Sequence, residues 1–238
     1  MGGTLMRLLV LLSVLGCALV LAGTAGVRAT AQATPDRLKT VLAQMDASSK
    51  SFRSAEASVQ KQQFEKIVND TTTESGAIYF LRSGNSTQVG ARFDPPNAQT
   101  IEYKNGTLTI YTAGTNQLKT YSAGQNQALA QTILSLGAGG SGSDLAANWD
   151  IDDLGREQMS DGSRMVEVEK LDLHSKDARV RNSYTHITMW IDLMRDISLK
   201  QVAFAPSGDT DTTIYTHIKL NQPLDLKAYA IKCKGKCS

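Results

Sequence analysis

The sequence is poor in the residues and motifs that mark catalytic or metal chemistry. Three cysteines stand in 238 residues, which excludes a dense disulfide scaffold and a multi-cysteine zinc site. The three histidines, His174, His186 and His217, are not spaced as metal ligands. There is no G-x-S-x-G elbow and no H-E-x-x-H helix, so the common hydrolase frames are absent. Neither sign of charge dominates: 25 Lys and Arg face 23 Asp and Glu, a formal net charge of +2. Without a basic patch the chain is not expected to bind nucleic acid. Beyond the N-terminal segment no apolar run is long enough to cross a membrane, and the mature protein is expected to be soluble.

Several motifs come close and fall short. Gly137-Ala138-Gly139-Gly140-Ser141-Gly142 matches G-x-G-x-x-G formally, but it follows a helical pattern rather than a strand and reads as a flexible loop. Asp150, Asp152 and Asp153 begin like a calcium loop that lacks its Gly and its terminal Glu. His186 and His217 would approach each other only if their strands were neighbours. Asn69, Asn85 and Asn105 open N-x-S/T sequons, which by themselves carry little weight. No cofactor or metal is expected.

What is present begins at the N-terminus. Met1–Arg7 ends in one positive charge, Leu8–Ala22 is almost wholly apolar, and Ala29-Thr30-Ala31 and Ala31-Gln32-Ala33 offer cleavage sites. This pattern reads as a secretory signal peptide over residues 1–33, with the mature domain at 34–238. Loss of Arg7 and Arg28 leaves 23 basic against 23 acidic residues, a net charge of zero. A membrane anchor and a lipobox at Val14-Leu15-Gly16-Cys17 are the competing readings. Leu15 is bulky for a lipobox, and the apolar run continues past Cys17. The remaining Cys233 and Cys237, in an oxidising compartment, are expected to form a tight structural clip on the last strand, with a redox pair as the alternative.

Thr34-Pro35 opens a helix, with Leu38, Val41, Leu42 and Met45 as its apolar stripe, running to about Ser49. Alternation then predicts strands over Ser54–Val68, Gly76–Arg82, Thr87–Phe93, Thr100–Lys104, Thr107–Thr112 and Gln117–Tyr121. Asn105-Gly106 is the strongest hairpin signal among them. Gln125–Leu136 returns to helical spacing, and Asp144–Asp153 is ambiguous, with room for a helical turn. Strands follow over Arg164–Leu173, Ser183–Leu193, Ser198–Ala205 and Thr212–Asn221. Short turns imply antiparallel pairing, and the whole reads as one curled sheet of roughly ten strands with helices on one side, mostly β with helices. Ile187, Met189, Ile191 and Leu193 share one face of their strand, and His186, Thr188, Trp190 and Asp192 share the other, a pattern expected of a sheet covered on one face only. The apolar side is either an ordinary core or the wall of a cavity.

Gly76–Tyr121 resembles the periplasmic lipoprotein carrier family (LolA) and the related outer-membrane lipoprotein-sorting proteins. The resemblance is carried by Tyr79-Phe80-Leu81-Arg82, Arg92-Phe93, Pro95-Pro96, Gln99-Thr100-Ile101, Asn105-Gly106, Leu108-Thr109-Ile110-Tyr111 and Gln117-Leu118. Later, Asp153-Leu154-Gly155, the Ile187–Asp192 strand and Asn221-Gln222-Pro223-Leu224 resemble its second half. Ser83 stands where the family has Pro, and the family's Trp is absent from Arg92-Phe93 and Leu108–Tyr111. The resemblance implies an unclosed antiparallel β-barrel of about eleven strands, with helices forming a lid over an apolar cavity. It also implies a carrier that binds the acyl chains of lipoproteins and moves them from the inner towards the outer membrane. The protein would then be a periplasmic monomer meeting an inner-membrane release complex and an outer-membrane receptor, and not an enzyme. The candidate cavity residues are Leu38, Leu42, Phe80, Phe93, Ile101, Ile110, Leu129, Ile133, Ile187, Met189, Ile191 and Phe204. Arg82 matches the family's strand-end arginine, which bonds the lid backbone and holds it shut until cargo binds. The alternative is an envelope sensor of the same fold that binds lipid or a partner protein, and a hydrolase is a third reading.

Overall fold

The computed structural model describes residues 35–83, 86–122, 124, 136–195, 197–235 and 237. A helix α1 (Pro35–Ser51) is followed by six strands: β1 (Ser54–Glu65), β2 (Asp70–Ser83), β3 (Ser86–Phe93), β4 (Gln99–Lys104), β5 (Thr107–Thr112) and β6 (Gln117–Ser122). After a short α2 (Gly142–Asn148) come β7 (Trp149–Ser160), β8 (Met165–Ser175), a six-residue α3 (Ala178–Ser183), β9 (His186–Asp192), β10 (Ile197–Phe204) and β11 (Thr210–Leu220), then a 3-10 turn at Leu226–Tyr229. All eleven strands form one antiparallel sheet in the order β6-β5-β4-β3-β2-β1-β11-β10-β9-β8-β7. Its two edges, β6 and β7, do not pair with each other, so the barrel is unclosed.

The topology follows from two meanders. The chain enters at the centre with β1 and steps outward to β6. It re-enters at the opposite edge with β7 and steps back to β11, which pairs with β1, for example Val59 with Tyr215 and Phe64 with Thr210. Every other pairing joins strands adjacent in sequence. The β4–β5 turn is the two-residue loop that Asn105-Gly106 predicts: both residues have positive φ, 50° and 73°, which matches the twist of an antiparallel pair.

Two expected strand starts need correction, and one ambiguous stretch is resolved. The strand expected over Gly76–Arg82 begins at Asp70. Thr71–Thr73 are β-branched but solvent-facing, and each pairs with a β1 residue, so pairing overrides their polarity. The ambiguous Asp144–Asp153 divides at Trp149. The Ser141 side chain accepts from Asp144 N at 3.0 Å and starts α2, while Trp149 is extended and opens a long strand despite four acidic residues in β7. The strand expected from Ser183 begins at His186, because Asp177 caps a preceding helical turn by accepting from Arg179 N at 2.8 Å.

Register assigns each side chain to a face, since directly opposed residues share one. The inner face carries the helices. On its β7–β9 side, Val41 and Met45 of α1 and Leu145 of α2 pack on Leu171, Leu173, Ile187, Met189 and Ile191. On its β1–β3 side, Phe52 packs with Ala55, Ala57, Val59, Phe80, Val89, Ala91 and Phe93. β9 departs from the one-sided pattern. Trp190, opposite in face to Met189, is also buried, flanked by Lys170 and Lys200 at 5.1 and 4.6 Å from its ring, with Nε1 donating to Glu157 at 2.8 Å.

On the outer face the C-terminal segment lies across the sheet as a strap. Tyr229 meets Tyr79 edge-to-face at 4.8 Å and donates to Glu56 at 2.8 Å. Further on, the Lys234 backbone bonds Asn116 in the β5–β6 turn, donating to Oδ1 at 3.0 Å and accepting from Nδ2 at 3.2 Å. The Cys233–Cys237 disulfide, with Cα atoms 5.4 Å apart, closes this end of the strap. It lies beyond the 3-10 turn, not on the last strand.

Candidate functional site

The sheet's inner face sorts into rows running from β1 to β6. The first row is Ala55, Phe80, Val89, Tyr103, Leu108 and Tyr121; the second is Ala57, Ile78, Ala91, Ile101, Ile110 and Lys119. Burial falls along both rows. Phe80, Val89 and Ala91 are buried, Ile101, Tyr103, Leu108 and Ile110 are half-buried, and Tyr121 is 44% exposed. The β4–β6 wing therefore presents apolar side chains that the described helices do not cover.

The candidate cavity residues accordingly divide. Phe80, Phe93 and Ile101 lie on the β2–β4 part of the inner face and Ile110 beside them on β5. Leu38, Leu42, Ile187, Met189 and Ile191 belong to the closed core beneath α1 and α2. Ile187, Met189 and Ile191 are at most 4% exposed, so on that side the inner face is filled. Phe204 is a correction: it pairs with His186 and stacks on its ring at 4.2 Å, on the face opposite Ile187. Leu129 and Ile133 lie outside the described residues, as do the signal segment and Cys17.

Arg82 is the fastener of the helical side. Its guanidinium donates to the Ser49 carbonyl at the end of α1 and to the Gly139 carbonyl at 2.5 Å, and it lies 5.4 Å above the Phe52 ring. The glycine-rich stretch it holds is not a loose loop, as the sequence suggests, but a close-packed one. A Cβ at Gly137 would lie 2.4 Å from the Phe80 ring, one at Gly139 2.3 Å from the Phe52 ring, and one at Gly142 2.0 Å from the Leu42 carbonyl. Only glycine lets the backbone approach this closely. Ser143 then ties α2 to α1, its N and Oγ donating to Asp46 Oδ1 at 2.9 and 2.8 Å. These bonds hold the Asp46 carboxyl below the ordinary range, with the Ser143 backbone N–H as the leading cause.

A second tie was not visible in the motifs. Arg37 of α1 makes a bidentate bond to Asp153, both distances 2.7 Å, and its Nε lies 3.2 Å from Glu169, which is fully buried. Arg156 reaches the other Glu169 oxygen at 3.0 Å. Burial and the neighbouring Asp153 push the Glu169 carboxyl up. Burial also opposes ionisation of Asp153, but Arg37 and the Gly155 N–H hold it below its ordinary value. The signal was a Glu at an inner-face position of an alternating strand, between Val168 and Lys170 and in phase with Leu171's face.

The histidines are also rearranged. β9 and β11 are separated by β10, so His186 and His217 are not neighbours. His186 instead stacks on His174 at 5.7 Å, and His174 lies 3.2 Å from Asp172. No cluster of three potential metal ligands occurs among the described residues.

No family model matches the chain, and no curated protein matches its sequence. Solved structures do match its fold. One is an uncharacterized conserved protein from Thermus thermophilus, at 12% identity over 82% of this chain and 94% of that one, TM-score 0.51. Another is MucB, at 10% identity over 85% of this chain and 64% of that one, TM-score 0.52, known also in a MucA/MucB complex from Pseudomonas aeruginosa. A LolA superfamily protein from Nitrosomonas europaea aligns at 14% identity over 82% of this chain and 97% of that one, TM-score 0.38. The open eleven-stranded antiparallel sheet with helices on its inner face is the unclosed half-barrel that the sequence resemblance implied.

Proposed function

We propose that this protein is an exported carrier that binds the acyl chains of lipoproteins or lipids on the β4–β6 wing of its inner face and moves them across the periplasm, without catalytic chemistry of its own. The observation that supports this best is the half-buried apolar wing of Ile101, Tyr103, Leu108 and Ile110, continuous with a core that Arg82 fastens to α1 and to Gly139. Each acyl CH₂ left in water costs about 0.8 kcal/mol, so an acylated cargo needs such a surface to cross an aqueous space. Broad apolar contact gives affinity without tight selectivity, and release requires that the helical side open. Arg82 is the latch in this reading. Its bonds end on backbone carbonyls of α1 and of the glycine stretch, so opening breaks both only when α1 and that stretch move away together.

Titration with a fluorescent fatty-acid probe tests the proposal. The wild type should bind the probe, and Ile101→Asp and Ile110→Asp should lose it while keeping a cooperative unfolding transition. These positions are only half-buried, so the substitutions leave the core intact, whereas charges at Ile187 or Met189 would unfold it. Binding unchanged in both variants would overturn the proposal.

A second reading, an envelope sensor that binds a partner protein, draws on the likeness to MucB, of which this chain covers 64%. It predicts capture of a defined partner protein and no passage of acylated cargo between membranes.

A further inference from the structure

The inner face changes character along its strands. The apolar rows give way to a third, Val59, Gly76, Phe93, Gln99 and Thr112, then to Lys61 opposite Glu74, then to Gln63 opposite Thr72. Rows are about 6.6 Å apart, two residues along a strand. At the polar end, Lys61, Gln63, Thr72, Glu74, Asn97 and Gln99 line an open groove of about 290 Å³. Among the described residues none of these six side chains makes a hydrogen bond or ion pair. Lys61 and Glu74 face each other in register without pairing. The outer-face neighbours differ, since Gln62 donates to Gln60 at 3.1 Å. An apolar trough that runs into a groove of uncommitted donors and acceptors fits a molecule with an apolar end and a polar end.

We infer that this groove is the headgroup subsite of the acyl-binding face, and that it takes a zwitterionic lipid head. The chemistry is set by the lining. Lys61 supplies one cation for a phosphate, Glu74 one carboxylate for an ammonium, and Gln63, Thr72, Asn97 and Gln99 supply neutral hydrogen bonds. The lining has no net charge, so neither an anionic nor a cationic head is matched. The acyl chains extend from the groove past Gln99 over Ile101 and Ile110. The inference rests on the carrier reading above.

Displacement of the bound fatty-acid probe by soluble dioctanoyl lipids tests it. Dioctanoyl-phosphatidylethanolamine should displace the probe at about fivefold lower concentration than dioctanoyl-phosphatidylglycerol or dioctanoylglycerol, the scale of two solvent-exposed charge contacts. The double substitution Lys61→Gln, Glu74→Gln should erase this preference and leave the dioctanoylglycerol affinity unchanged. Equal displacement by all three lipids, or a preference for the anionic one, overturns the subsite and leaves the carrier reading standing. Failure of the wild type to bind the probe or any of the lipids overturns both.

Discussion

Single residues decide how the helical side is held. Arg82 carries two charge-assisted bonds to backbone carbonyls, and bonds of that kind contribute about 1.5–3 kcal/mol each. Arg82→Leu should therefore speed amide exchange at the end of α1 and around Gly139, and accelerate release of a bound acyl probe, with little change in the exchange of β8 and β9. Uniform acceleration throughout the protein would mean a general structural role instead. Asp161 sets a pH dependence. The backbone N–H groups of Arg164 and Ser163, and then the Arg195 guanidinium at 2.9 Å, hold its carboxyl below the ordinary range. A carboxyl depressed in the folded state contributes stability that is present above its unfolded value, near 3.8, and is lost as pH falls through the folded value. Thermal unfolding should show a midpoint that drops below about pH 4, and Asp161→Asn should flatten that drop. An identical acid limb in the variant would remove Asp161 from the account.

Residue chemistry was also where the sequence was least legible. Arg82 was readable only through the family resemblance, which puts an arginine at the end of an aromatic-rich strand. Glu169 was not, because burying a carboxyl at a core position makes sense only once Arg37 and Arg156 are seen beside it. The glycines at 137, 139 and 142 read as flexibility because nothing local reveals which ring or carbonyl lies against them.

At the scale of elements, packing explains where the sequence pattern held and where it failed. The strands of the first meander alternate cleanly, and the Asn105-Gly106 turn fixes one register outright. β7 was obscured because Asp150, Asp152, Asp153 and Gly155 disfavour strands, and β8 pairing overrides them from Trp149 to Ser160. α3 falls in the gap between the expected strands Arg164–Leu173 and Ser183–Leu193, and only its last residue, Ser183, belongs to one of them. α1 and α2 meet with no space to spare, so Gly142→Ala should cost about 1–3 kcal/mol in urea unfolding through overpacking against the Leu42 carbonyl. The strap makes a contrasting prediction. Closing so short a loop with Cys233–Cys237 contributes about 2 kcal/mol at most, whereas Tyr229→Ala removes a buried ring and should cost about 3 kcal/mol or more. A Cys233→Ser variant less stable than Tyr229→Ala would show that the strap is held by its disulfide and not by its docking on Tyr79.

At the scale of the molecule, two meanders meeting at β1 and β11 make a half-barrel whose two wings differ. The β7–β9 wing is filled by α1 and α2, and the β4–β6 wing keeps apolar side chains half-buried beside a polar groove. Alternation alone left open whether the apolar face was core or cavity wall; beneath α1 and α2 it is core, and on β4–β6 the described helices leave it half-buried. Half-exposed apolar surface of this kind is held where something binds it. Native mass spectrometry with lipid extraction, on the protein purified from its own cells, tests that claim most directly. The account predicts a bound acylated species that is lost in Ile110→Asp. A single apo mass that takes up neither lipoprotein nor lipid when they are added would contradict it.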